Sequence, residues 1–139
     1  MSNRFSRQFV ARPEHIDANG HVNNAVWVRW MEDLSVAHWE ADALPAHRDA
    51  YAWVVTRHEI DYRGNVGEGA TVHGETVIRS HPKGARFDRH FDFTDDDGRL
   101  LVRAKTTWAM VDRASGKLTR VPSEVAEPFR PEGGWQPAD

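Results

Sequence analysis

Cysteine is absent from the 139 residues, so the chain can form no disulfide framework, thiolate nucleophile or thiolate-held zinc site. An excess of either charge is lacking too. Eighteen Lys and Arg against 21 Asp and Glu leave a formal charge of −3, which offers no general surface for a polyanion, so no nucleic-acid partner is expected. No stretch approaches the ~18 consecutive apolar residues of a membrane span, and the opening MSNRFSRQFV lacks the apolar core of a secretory signal. A cytoplasmic protein without a membrane partner is the expectation. Internal repeats and low-complexity linkers are missing as well, and composition does not shift along the chain. One domain over residues 1–130 is therefore expected, with a Pro- and Gly-rich flexible tail at 131–139. A chain this long can bury roughly two-thirds of its unfolded surface, enough for a core without staples.

The apolar pattern defines the elements. Trp27, Trp30, Met31, Leu34, Ala37, His38 and Ala41 recur at spacings of three and four, which predicts one long helix over 24–41. Ala25, Val26, Val28, Val36 and Trp39 widen that stripe, so the helix is expected to be wrapped rather than covered on one side. Asn23 or Asn24 suits its N-terminus, and Pro45 lies beyond its end. Afterwards the period becomes two. One expected face carries Val54, Thr56, His58, Ile60 and Tyr62, and another Ala70, Val72, Thr76 and Ile78. A third carries Phe87, Phe91 and Phe93 opposite Arg86, Asp88, His90 and Asp92, and a fourth runs from Leu100 through Val102, Ala104, Thr106 and Trp108 to Met110. An earlier strand over 4–11 would turn Phe5 and Phe9 inward. The plan is α+β, one antiparallel sheet burying one apolar helix.

Between the first strand and the helix lies the densest polar segment, Arg12-Pro13-Glu14-His15-Ile16-Asp17-Ala18-Asn19-Gly20-His21-Val22-Asn23-Asn24. Gly20 permits a tight bend, and the segment runs straight into a helix start, whose unpaired N–H groups and partial positive charge suit a developing oxyanion. A carboxylate held there can serve as base or nucleophile; alone, Asp17 could equally be a turn residue accepting backbone N–H bonds. His15, Asp17 and His21 match no established metal-ligand spacing. Asp95-Asp96-Asp97-Gly98 lacks the twelfth-position Glu of a calcium loop, where Thr106 stands instead. Neither metal nor organic cofactor is expected.

Asp17-Ala18-Asn19-Gly20-His21-Val22-Asn23-Asn24-Ala25-Val26-Trp27, followed by Trp30-Met31-Glu32, resembles the signature of hotdog-fold acyl thioesterases, of the 4-hydroxybenzoyl-CoA and acyl-ACP groups. The later runs Trp108-Ala109-Met110-Val111-Asp112, Gly116-Lys117-Leu118 and Arg120-Val121-Pro122 are similar to the end of the acyl-ACP domain. The resemblance spans about residues 5–129 and implies a hotdog fold, one long central helix wrapped by an antiparallel sheet. It implies hydrolysis of an acyl-CoA to a carboxylic acid and free CoA, in a homodimer or homotetramer with sites at the interface between chains. Asp17 would be base or nucleophile, with Asn19 and His21 beside it as catalytic residues. Gly20 and the Asn24 N–H would form the oxyanion and substrate side, and Lys83 and Arg86 would meet the phosphates of CoA. Trp27 stands where Tyr is more usual. The acidic or cysteine residue that the acyl-ACP group carries soon after Tyr62-Arg63 is replaced here by Gly64-Asn65-Val66. A non-catalytic acyl-CoA or acyl-chain binding protein and an acyl-ACP thioesterase are the alternatives.

Overall fold

The fold is described from a computed structural model, for residues 2–138. Five strands, β1 (Arg4–Val10), β2 (Tyr51–Tyr62), β3 (Thr71–Val77), β4 (Arg86–Thr94) and β5 (Leu100–Asp112), form one antiparallel sheet in the order β1-β3-β4-β5-β2. β1 and the twelve-residue β2 are its edges. Helix α1 (Asn24–Asp42) crosses one face, and a shorter α2 (Pro45–Ala50) leads into β2. No helix among the described residues is long and apolar enough to cross a membrane.

α1 buries Val26, Trp27, Trp30, Met31, Leu34, Ser35 and His38, the stripe that a spacing of three and four selects. The wider wrapping expected from sequence is only partial. Ala25 is exposed and Val36 keeps 50% of its surface, because the sheet supplies one face and leaves the opposite side of the helix uncovered. Phe5 and Phe9 of β1 pack against this first core together with Phe91, Phe93 and Val102.

Two strands depart from simple alternation. In β2, Val55 pairs with Trp108 and Arg57 with Thr107, so Thr56 is an extra residue in the ladder. That bulge shifts the phase: Trp53 and Val55, rather than Val54 and Thr56, share the inner face with His58 and Ile60, and Val54 is left 46% exposed. In β4, Arg89 shares the parity of Phe87, Phe91 and Phe93 and is buried with them, while Asp88, His90 and Asp92 point the other way.

The inner face consequently holds two apolar clusters rather than one. The second contains Ala43, Ile78, Phe87, Met110, Val121, Val125, Ala126 and Phe129; the last three come from α3 (Ser123–Ala126) and the 3₁₀ turn Glu127–Phe129. Between the clusters runs a band of buried polar side chains: His38 and Ser35 from α1, Thr76 from β3, Arg89 from β4 and Thr106 from β5. The segment expected as a tail makes specific contacts. The Trp135 ring meets His81 at 5.3 Å and Phe87 at 6.0 Å, and the Gln136 N–H donates to the Arg79 carbonyl at 2.8 Å.

Candidate active site

After β1 and the 3₁₀ turn Pro13–His15, the chain doubles back across an Ile16–Val22 bridge. Asp17 closes the turn twice. Its N–H donates to the His21 carbonyl at 2.9 Å, and its carbonyl accepts from Gly20 N–H at 3.0 Å, with Gly20 at φ 77°, where a Cβ would be strained. The Asp17 carboxylate is part of the same turn: Oδ1 accepts from the Asn19 N–H at 2.9 Å and, more loosely, from the His21 N–H at 3.4 Å. Oδ2 has no hydrogen-bond partner among the described residues. One Asp17 oxygen is thus anchored in the turn, as expected of a turn residue, and the other holds no bond among the described residues. Asn19 and His21 meet Asp17 through their backbones, while their exposed side chains hold no bond among the described residues.

The turn is bolted to the rest of the protein by Asn65. Its Oδ1 accepts from Val22 N–H at 3.1 Å and its Nδ2 donates to Val22 O at 3.1 Å, while Val22 N–H also reaches Val66 O at 3.2 Å. Val22 is fully buried, so this clamp satisfies backbone groups that water cannot reach. Asn65 carries no local signal in the sequence, because its partner is 43 residues away. His15 is a turn residue: its Nδ1 accepts from Arg12 N–H at 3.0 Å and its ring meets Trp30 edge-on. Among the described residues, no three His, Asp or Glu gather as a metal site would need.

Three residues beyond the turn, α1 begins. Asn23 is its N-cap: its side chain accepts from Ala25 N–H at 2.9 Å and its carbonyl from Val26 N–H at 2.9 Å. The Asn24 N–H has no acceptor among the described residues and stands at the positive end of a 19-residue helix. Asp17 and Asn24 are therefore fixed through one continuous, internally bonded segment. Lys83 and Arg86 are not brought to them in the same chain. They form the β3–β4 turn, exchanging backbone bonds of 2.9 Å around Gly84. Seven residues of β4, about 23 Å, separate Arg86 from the Phe93–Val102–Tyr62 row beside the Asp17 segment. Both side chains are exposed and lack an acidic partner among the described residues.

The polar band has no counterpart in the sequence pattern. Arg89 Nη1 donates to His38 Nδ1 at 2.8 Å and to Thr76 Oγ1 at 3.2 Å. Because a guanidinium can only donate, His38 carries its proton on Nε2, which faces the Ser2 carbonyl at 2.7 Å and Asp42 Oδ2 at 3.2 Å. Burial, and then the nearby Arg89 charge, lower the His38 pKa from 6.5 to about 4, so His38 is neutral at pH 7. Burial also lowers the Arg89 pKa to about 9, leaving it a cation at pH 7. One strand over, His58 Nδ1 meets Thr106 Oγ1 at 2.8 Å. The available signal was parity, since Arg89 falls two residues from both Phe87 and Phe91.

The His38 shift predicts the response to acid. An unfolded chain takes up a proton near pH 6.5 that the folded chain refuses until about pH 4, so His38 favours folding above that window and opposes it as pH falls through it. The loss approaches about 3 kcal/mol at the bottom of the window. Urea unfolding at pH 7 and pH 4.5 should show this decline and show it reduced in His38→Gln; an unchanged decline in the variant would assign it to other groups.

Against the band lies a cavity of about 270 Å³ between the far half of α1 and the start of β2. Aromatic rings of Trp39, Trp53, Phe87, Trp108 and Phe129 line it, with Arg89 on its wall. It begins near Val36, about 18 Å along α1 from Asn24.

Residues 11–129 match the family model described as the thioesterase-like superfamily. Over 137 residues the chain is 22% identical to a chloroplastic palmitoyl-acyl carrier protein thioesterase of Gossypium hirsutum, covering 90% of this chain but only 33% of that protein. Among solved structures, a 1,4-dihydroxy-2-naphthoyl-CoA thioesterase from Synechocystis superposes with a TM-score of 0.77 at 14% identity, covering 91% of this chain and 95% of that one. An acyl-ACP thioesterase from Bacteroides thetaiotaomicron gives 0.80 at 22%, covering 99% and 58%.

Proposed function

The chain belongs to the thioesterase-like superfamily and has its hotdog fold, and from that premise we propose that it hydrolyses an acyl-CoA to a carboxylic acid and free CoA. The observation that carries this reading is the single internally bonded segment that presents an Asp17 Oδ2 and an Asn24 N–H, neither with a partner among the described residues. Asp17 Oδ2 takes a proton from water as the hydroxide oxygen bonds to the thioester carbon. The carbonyl oxygen gains the electron pair and accepts a hydrogen bond from the Asn24 N–H. Collapse breaks the C–S bond, and the thiolate takes the proton back from Asp17. Anchoring of Oδ1 in the turn favours this base role over direct attack, since a base reaches the carbonyl through a water. Asn19 and His21 would orient the water, and Gly20 allows the bend that presents them.

A second copy of the chain completes the site in this reading. β2 is an edge strand of twelve residues, paired among the described residues with β5 alone, and it carries Val54 and Tyr62 nearly half exposed. Tyr51, Ala52 and Trp53 at its start border the cavity, while its end at Tyr62 runs into Asn65 and the Asp17 segment. Two β2 edges paired antiparallel about a two-fold axis lay one copy's cavity beside the other copy's Asn24. In this arrangement Lys83 and Arg86 would serve the partner copy's site, as cations for the CoA phosphates.

Thiol release from acetyl- to palmitoyl-CoA, with benzoyl-CoA, phenylacetyl-CoA and an acyl-ACP alongside, tests the reading, together with the sedimentation mass. Turnover of at least one CoA ester by a particle of at least two chains is expected. Saturable binding without turnover would instead establish a binding protein, and turnover of the acyl-ACP alone would move the substrate to the carrier.

A further inference from the structure

Arg89 is a buried cation in the polar band between the two apolar clusters, and its described partners are both neutral. It is 7% exposed and bonds to His38, which is uncharged at pH 7, and to the Thr76 hydroxyl. The acid along this chain of contacts, Asp42, lies 3.2 Å from His38 Nε2. A guanidinium has five N–H donors, and these two contacts both use Nη1. Taking such a charge out of water without a counter-charge is costly, and packing alone gives no reason for it, since an unbranched apolar side chain would fill the same space.

The cavity beside it shows the same deficit. Trp108 lies on the cavity wall, and its indole N–H is buried with no acceptor among the described residues. This donor and the Arg89 cation border a space lined by aromatic rings, with Arg113 adding a second cation; of the two acids on its wall, Asp88 is held by the Thr107 hydroxyl at 2.7 Å and Lys105 at 3.9 Å, and Glu40 is exposed. At about 30 Å³ per water, 270 Å³ accommodates roughly nine non-hydrogen atoms. The missing partner is an oxygen anion carried by an apolar group of that size.

We infer that the acyl group this cavity receives carries a carboxylate at its far end, bound by Arg89 and the Trp108 N–H, so that the substrate is the CoA thioester of a dicarboxylic acid. The inference rests on the thioesterase reading and deepens it. The thioester lies at Asp17 and Asn24 of one copy and the free carboxylate lies in the other copy's cavity. The rings of Trp53 and Phe87 hold the methylene or aryl spacer between them. A site built around unpaired donors discriminates strongly against an analogue that lacks the acceptor, because the donors are then left buried and unsatisfied.

The test compares adipoyl-CoA with hexanoyl-CoA, two acyl groups of equal carbon number that differ in the terminal carboxylate. For the wild type, kcat/KM should favour adipoyl-CoA by roughly 10- to 100-fold, the range expected of a hydrogen bond to a charged group. Arg89→Met should abolish that ratio, whereas a role confined to holding α1 on the sheet would lower both rates and leave the ratio intact. Arg89→Lys, which keeps the charge but loses the fork, should retain part of the preference and covers the case in which the Met variant does not fold. A wild-type ratio near one, or in favour of hexanoyl-CoA, would overturn the inference and leave thioester hydrolysis standing. Should neither ester be hydrolysed, the thioesterase reading fails on these substrates. Quenching of tryptophan fluorescence by adipoyl-CoA but not hexanoyl-CoA then supports the carboxylate site, and equal quenching by both rejects it.

Discussion

Asp17→Asn should lower kcat for thioester hydrolysis by roughly 10²- to 10⁴-fold, the usual contribution of a positioned base, while the melting temperature stays where it is. The structure makes this substitution unusually clean. Asp17 Oδ1 is an acceptor in the turn, receiving the Asn19 N–H at 2.9 Å, and an asparagine amide oxygen can take over that bond. Only Oδ2 is replaced by a group that cannot accept a proton at neutral pH. Asp17→Ala would remove both oxygens, free the Asn19 and His21 N–H groups and mix a folding effect with the chemical one. Thiol release measured beside a thermal melt separates the two. A folded Asn variant with near-normal turnover would refute Asp17 as the base.

Asn24→Pro is the second substitution with a large expected effect, because it deletes a backbone donor without touching any side chain that carries chemistry. Asn24 is the first residue of α1, and proline is favoured at that position: its fixed φ suits the helix, and the missing N–H is one that the helix does not use. The preceding residue must be extended to accommodate the ring, and Asn23 already is, at φ −62° and ψ 141°. The cap bonds from Asn23 to Ala25 and Val26 are untouched. If the Asn24 N–H faces the developing oxyanion, kcat should fall by roughly 10²- to 10³-fold with KM little changed, since the bond strengthens only as charge develops. Helical circular dichroism should match the wild type. An active, folded Asn24→Pro protein would place the oxyanion elsewhere.

The elements were legible in the residues because their signals are local. Spacings of three and four predicted a helix over 24–41, and α1 spans Asn24–Asp42. The turn that ends at Asn23 was legible for the same reason: Asp17, Gly20 and Asn23 act on neighbours within a few residues, so the candidate segment announces its own geometry. Alternation failed in β2, where Thr56 bulges, because the extra residue is set by the ladder with β5 and has no mark of its own in a run of Val, Thr and Arg. It failed to flag Arg89 because a charged residue in an apolar register reads as solvent-facing until its partners are known. Those partners, His38 and Thr76, are 51 and 13 residues away.

The sequence by itself determined the α+β plan, the length of α1, the Asp17 turn and its junction with the helix start, since each depends on interactions between near neighbours. Only the tertiary structure decided that Asn65 clamps that turn, that Lys83 and Arg86 lie at the other end of the sheet from it, and that a buried cation borders an aromatic cavity. Those arrangements depend on strand order and register. Both are fixed when five strands and a helix bury their apolar faces together, and neither can be read from any one of them.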